Sequence, residues 1–196
     1  MNLKTHITAA SIALALNFGA PSISAQHEKA GHDKDPMTEG LKPLKGKEFE
    51  VMFLKEMIHH HQMAVETGTL ATKNTKRAEL NKLGGEIVSA QKAEIDKMTG
   101  WLKSWHNEAP GSMASMSGME KMMKEMEALK TAKDAEFDKM FLDHMITHHE
   151  GAVEMAKLID GRIDRAELKQ LGAEIIKAQT KEIAQMKDWQ KAWFKK

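Results

Sequence analysis

The chain has 196 residues, with sixteen methionines, ten histidines, no cysteine and a formal net charge of +1. Such a length supports one domain with a real core. The near-zero charge gives no electrostatic footprint for nucleic acid or an anionic membrane, and the missing cysteine excludes disulfides and thiolate metal sites. Four prolines, no tyrosine and abundant Ala, Lys, Glu and Met predict an all-α fold.

In chain order, residues 1–25 read as a signal peptide. Lys4 gives the positive start, residues 7–18 the short apolar run, Pro21 the break, and Ile23-Ser24-Ala25 the cleavage site before Gln26. The run is too short to span a bilayer comfortably, and no cysteine follows it to take a lipid. A periplasmic location is therefore expected, with no membrane association after cleavage. Residues 26–48 show no helical period and read as a flexible leader, with His27 and His32 as solvated tail residues.

Residues 49–106 form a first helical hairpin in this reading. Phe49, Met52, Phe53, Met57, His60, His61 and Ala64 keep the three-four spacing of one helix face up to about Thr72. Lys73-Asn74-Thr75 is a turn. A second helix runs over residues 78–106, with Leu80, Leu83, Ile87, Gln91, Glu94, Met98, Trp101 and Trp105 on its inner side. Pro110 and Gly111 end that pattern. A Met-rich linker follows at residues 107–136, and a second hairpin at residues 137–196. Asp164 with Glu167 three residues on has the spacing of a capping box at the start of its second helix.

The second hairpin repeats the first without a gap, 88 residues on: Phe49 aligns with Phe137, His60 with His148, Glu79 with Glu167, Gln91 with Gln179, Met98 with Met186, and Trp101 and Trp105 with Trp189 and Trp193. One hairpin leaves an apolar stripe uncovered, and two packed face to face bury each other's as a four-helix bundle. The length of the linker leaves the topology open. The tryptophans read as core plugs.

Both repeats carry Met-x-x-His-His. On a helix, residues three and four apart share a face, so Met57 stands one turn from His60 and His61, and Met145 one turn from His148 and His149. Thioether suits Cu(I) or Ag(I), and imidazole accepts Cu(I), Cu(II) or Zn(II). Each repeat is thus expected to hold its own soft-metal ligand set, with Gln91, Glu94, Gln179 and Glu182 supporting it from outside the metal's ligand shell. Met113, Met116, Met119, Met122, Met123 and Met126 step along the linker at intervals that would either pack a helix face on the bundle or let several thioethers reach one ion, the favoured reading. A competing motif, Glu56-x-x-His59, is the pair used in di-iron bundles, but its counterpart His144-x-x-Thr147 repeats neither ligand.

The segments Phe-x-x-x-Phe-Leu-x-x-Met-Ile-x-His-His-x-x-Ala-Val-Glu, Glu-Leu-x-x-Leu-Gly-x-Glu-Ile and Ala-Gln-x-x-Glu-Ile-x-x-Met resemble the family called domain of unknown function 305, over residues 49–105 and again 137–193. The resemblance implies a ferritin-like four-helix bundle. It also implies a copper-binding role in copper tolerance for exported members, carried by position onto Met57, His60, His61, Met145, His148 and His149. The second copy departs from the first at Glu150 for Gln62 and Gly151 for Met63. The expected function is an exported protein that sequesters or carries Cu(I), with Ag(I) or Cu(II) as alternatives. Its expected partners are metal ions and a copper efflux or chaperone protein. The alternatives are a ferritin-like metal oxidase and a bundle with a purely structural or partner-binding role.

Overall fold

A computed structural model describes residues 36–112 and 119–194. The residues read as a signal peptide, the first part of the leader, and Met113 and Met116 lie outside the described residues. Six helices are described: α1 Pro36–Leu41, α2 Gly46–Asn74, α3 Ala78–His106, α4 Met119–Thr131, α5 Asp134–Lys157 and α6 Ala166–Phe194.

The expected four long helices are present, with two differences at their edges. The leader is not structureless throughout: residues 36–41 form a helical turn whose Met37 and Leu41 are buried in the core, and α2 begins at Gly46. Gly46 holds φ +55° and donates its N–H to the Arg162 carbonyl, tying the start of α2 to the α5–α6 turn. The linker contributes α4, and α5 starts three residues before the repeat does. As expected, α3 ends at His106, before Pro110. Asn107 adopts the left-handed conformation, and the N–H groups of Asn107 and Glu108 return to the carbonyls of Lys103 and Leu102. Asp164 does not act through a buried cap; its carboxylate is exposed, 3.6 Å from Lys169.

The core has two halves. One joins Phe49, Phe53, Met57, Met98 and Leu102, from the open end of the first hairpin, to Ala152, Ile159, Leu168 and Ile175 near the turn of the second. The other joins Ala64, Ala71, Leu80 and Ile87, near the first turn, to Phe137, Phe141, Met145 and Met186 at the second hairpin's open end, with Leu129 of α4 added. Each hairpin therefore lays its turn against the other's open end, so that α2 and α5 run antiparallel through the centre.

Two matching clamps lock this arrangement. The Arg165 guanidinium donates to Glu50 Oε2 at 3.1 and 3.2 Å and lies 4.1 Å over the Trp105 ring. Arg77 donates to Asp138 Oδ2 at 3.0 Å and lies 4.1 Å over Trp193. Every partner is displaced by 88 residues, and each clamp crosses from one repeat to the other. The tryptophans stack in pairs at 4.8 and 5.1 Å and are half-buried against the core rather than plugs within it, and Trp105 and Trp193 serve as platforms for arginine.

Candidate metal centre

On α5 the two core halves meet across His148 and His149; on α2 the first half runs through Met63 and the second begins at Ala64, just past His60 and His61. All four rings are buried. The sequence suggested a separate ligand set on each helix, and the bundle joins them instead. His60 and His148 meet across the α2–α5 contact with ring centroids 3.7 Å apart, while His61 stands 6.5 Å from His60 and His149 stands 6.0 Å from His148.

Hydrogen bonds fix which nitrogen is available on three of the four rings. His61 Nε2–H donates to Glu94 Oε2 at 2.7 Å, and His149 Nε2–H donates to Glu182 Oε2 at the same distance. His148 Nε2–H donates to the His60 carbonyl at 2.9 Å. With the proton on Nε2, a neutral ring carries its lone pair on Nδ1. The Nδ1 atoms of His60, His61, His148 and His149 are all buried without a hydrogen-bond partner. Gln91 and Gln179 each bury an amide oxygen in the same condition. Orphaned buried acceptors cost stability, and here they come in matched pairs from the two repeats.

Electrostatics keeps the central pair ready to ligate. Burial pushes His60 and His148 well below the ordinary imidazole range, and the neighbouring histidines push them further the same way. Only neutral imidazole binds metal.

Met57 and Met145 are fully buried, each one helical turn from its histidines and each in a different half of the core. The linker methionines divide. Met126 is buried, and its sulfur accepts the Thr67 hydroxyl at 3.0 Å, which makes it a packing residue on α2. Met123 is exposed on α4. Met119 and Met122 also lie on α4.

His59 is turned to other work. Its Nε2–H donates to the Pro110 carbonyl at 3.1 Å, and Nδ1 faces the Gln62 amide at 3.0 Å. Both ring nitrogens are committed, so Glu56-x-x-His59 does not present a metal pair. The residue that the sequence reading passed over is His144. It lies one turn before His148, with ring centroids 6.1 Å apart, and its four-residue spacing from His148 was the available signal.

Among the described residues, no group of three or more His, Asp or Glu side chains converges as a ready-made ion cage. The lone pairs present are imidazole nitrogens beside thioether sulfur, a set that fits soft ions of low coordination number and not hard ions that need several oxygens.

The DUF305 family, described as a domain of unknown function, matches residues 18–69 and 50–190. The chain belongs to the DUF305 family. Its fold is also that of solved helical relatives. CopM in its Cu(II)-bound form is 34% identical, with a TM-score of 0.68, over 74% of this chain and 97% of that one. CopM in its Cu(I)-bound form is 32% identical, with a TM-score of 0.65 and the same coverage. A Streptomyces coelicolor DUF305 protein, whose name marks it as a candidate secreted protein, is 29% identical, with a TM-score of 0.62, over 70% of this chain and 88% of that one. No curated protein matches the chain. None of the helices among the described residues is long and apolar enough to cross a membrane.

Proposed function

We propose that this DUF305 protein is exported and sequesters or carries Cu(I), with Ag(I) able to take its place, as a binder rather than an enzyme. The observation that carries the reading is the set of four buried Nδ1 atoms without partners at the α2–α5 junction, two from each repeat. The likeness to CopM, which has been seen with Cu(I) and Cu(II), supports a copper-related role. In this reading His60, His61, His148 and His149 supply nitrogen, and Met57 and Met145 supply thioether from the adjoining turns. Glu94 and Glu182 hold the outer rings in the ligating tautomer. Met123, which is exposed, captures ions at the surface, and the other linker methionines Met113, Met116, Met119 and Met122 belong to the same capture segment in this reading. The residue pattern of the first 25 residues supports export to the periplasm, where thioether has the advantage over thiol of not forming disulfides. Release to a copper efflux or chaperone protein would complete a role in metal tolerance.

The test is a competitive Cu(I) titration under reducing, anaerobic conditions, with Zn(II) and Fe(II) in parallel. Tight Cu(I) binding that is lost when His60, His61, His148 and His149 are all changed to Ala supports the reading. Unchanged stoichiometry and affinity in that variant would sink it. An absence of any metal preference would return the histidines to a structural role.

A further inference from the structure

Resting on that reading, we propose that the buried centre is loaded from one side only, through His144, which passes the ion from the cavity between α4 and α5 to His148. His144 Nδ1–H donates to Glu125 Oε2 of α4 at 3.3 Å, so its lone pair sits on Nε2. That Nε2 is buried without a partner, and the ring is only 7% exposed. The ring therefore joins two environments. Toward the core it stands 6.1 Å from His148. Toward solvent it lines a cavity of about 290 Å³ together with Glu125, Met140, Asp143 and Thr147.

The repeat gives an internal control for this route. The residues 88 positions before His144, Asp143 and Thr147 are Glu56, Lys55 and His59. There the equivalent approach is covered by the segment after α3. His59 Nε2–H holds the Pro110 carbonyl at 3.1 Å, and Lys55 Nζ binds Glu108 at 3.0 Å. A cation arriving on that side meets an ammonium group and a strapped segment. A cation arriving on the His144 side meets a cavity with two carboxylates, one thioether, and an imidazole whose lone pair is free. Asp143 is already engaged by Lys139 and Gln190, so Glu125 supplies most of the attraction. The transfer is an exchange of ligands from His144 Nε2 to His148 Nδ1. The ion keeps its charge, and no proton need move on either ring.

Loading is measured by stopped flow, by mixing the full apo chain with a coloured Cu(I) chelate and following loss of the chelate's absorbance. His144→Gln is expected to slow uptake about tenfold with unchanged final stoichiometry, since exchange along the route loses its first ligand. Glu125→Ala, a change at a half-exposed side chain, should slow it by a smaller factor, again at unchanged stoichiometry. Rates equal to wild type in both variants would overturn the route while leaving the buried centre intact. Loss of an equivalent of Cu(I) in His144→Gln would also overturn it, by making His144 a retained ligand. If His144→Gln does not fold by circular dichroism, Glu125→Ala carries the test. Failure of the wild-type chain to take up Cu(I) would fall on the proposed function instead.

Discussion

At the outer histidines the two repeats are alike: His61 and His149 each donate to a glutamate 33 residues on, at 2.7 Å, and each buries a bare Nδ1. The interrepeat clamps match as closely. One turn away the likeness ends. Lys55, Glu56 and His59 stand where the second repeat has Asp143, His144 and Thr147, and one side is strapped while the other is open. The hairpins also close differently. A Cβ on Gly68 would fall 2.8 Å from the Gly84 carbonyl oxygen, and one on Gly84 would fall 2.7 Å from that of Gly68. The positions 88 residues on are Ala156 and Gly172, where the close contact is the end of the Ile159 side chain. What the two halves share serves the joint centre and the packing of hairpin on hairpin. What differs decides how the centre is reached.

The largest expected effect tests the joined centre. His60 and His148 are held neutral in the folded chain but have an ordinary affinity for protons when unfolded. The unfolded state then binds more protons below the ordinary value of 6.5. Stability of the metal-free chain is full above that pH and falls as pH drops through it, by about 1.4 kcal/mol per pH unit for each ring. Urea melts from pH 7.5 down to 5 should show this slope, reduced by one ring's share in His60→Leu or His148→Leu, with buried His144 contributing in the same direction. Equal slopes in all three proteins would mean that the rings are not coupled to folding in this way.

Next come the clamps. Arg77→Ala and Arg165→Ala each leave a buried carboxylate behind, at a cost of about 2 kcal/mol once the partial exposure of the arginines is allowed for. Denaturation midpoints should fall by similar amounts in the two variants, and a large inequality would break the match between the repeats. Glu94→Gln and Glu182→Gln should lower Cu(I) affinity about 10- to 100-fold each, since each loosens one imidazole. If one glutamate alone mattered, competition titration would show a centre that uses a single repeat. The smallest effect separates the hairpins. Gly84→Ala forces a methyl against backbone and should cost about 1–3 kcal/mol. Gly172→Ala needs only a shift of the Ile159 terminus and should cost less, as thermal melts of the two variants would show.

Much of this was legible in the residues. The three-four spacing of Phe49, Phe53, Met57 and His60 placed one helix face, and the gapless repeat from Phe49 to Trp105 and from Phe137 to Trp193 placed two hairpins that bury each other. Both features are local or compositional, so they survive without a structure. The edges were less legible. Met37 and Leu41 looked like part of a mobile leader because six residues carry too little periodicity to be read, and their order comes from burial in a core built by distant helices. The tryptophans read as core plugs because the arginines that cap two of them are distant in the chain: Arg77 lies 116 residues from Trp193, and Arg165 lies 60 residues from Trp105.

The sequence by itself determined the all-α repeat and the chemistry of the centre: soft thioether and imidazole donors on two helices, with no thiol. Only the tertiary structure decided that the two sets are one. Antiparallel packing of α2 on α5 brings His60 and His148 to 3.7 Å, and α4 lays Glu125 beside His144. Helical spacing fixes which side chains share a face, because it is set by the local backbone. Which faces meet is set by the burial of two apolar stripes against each other, and that is a property of the whole bundle.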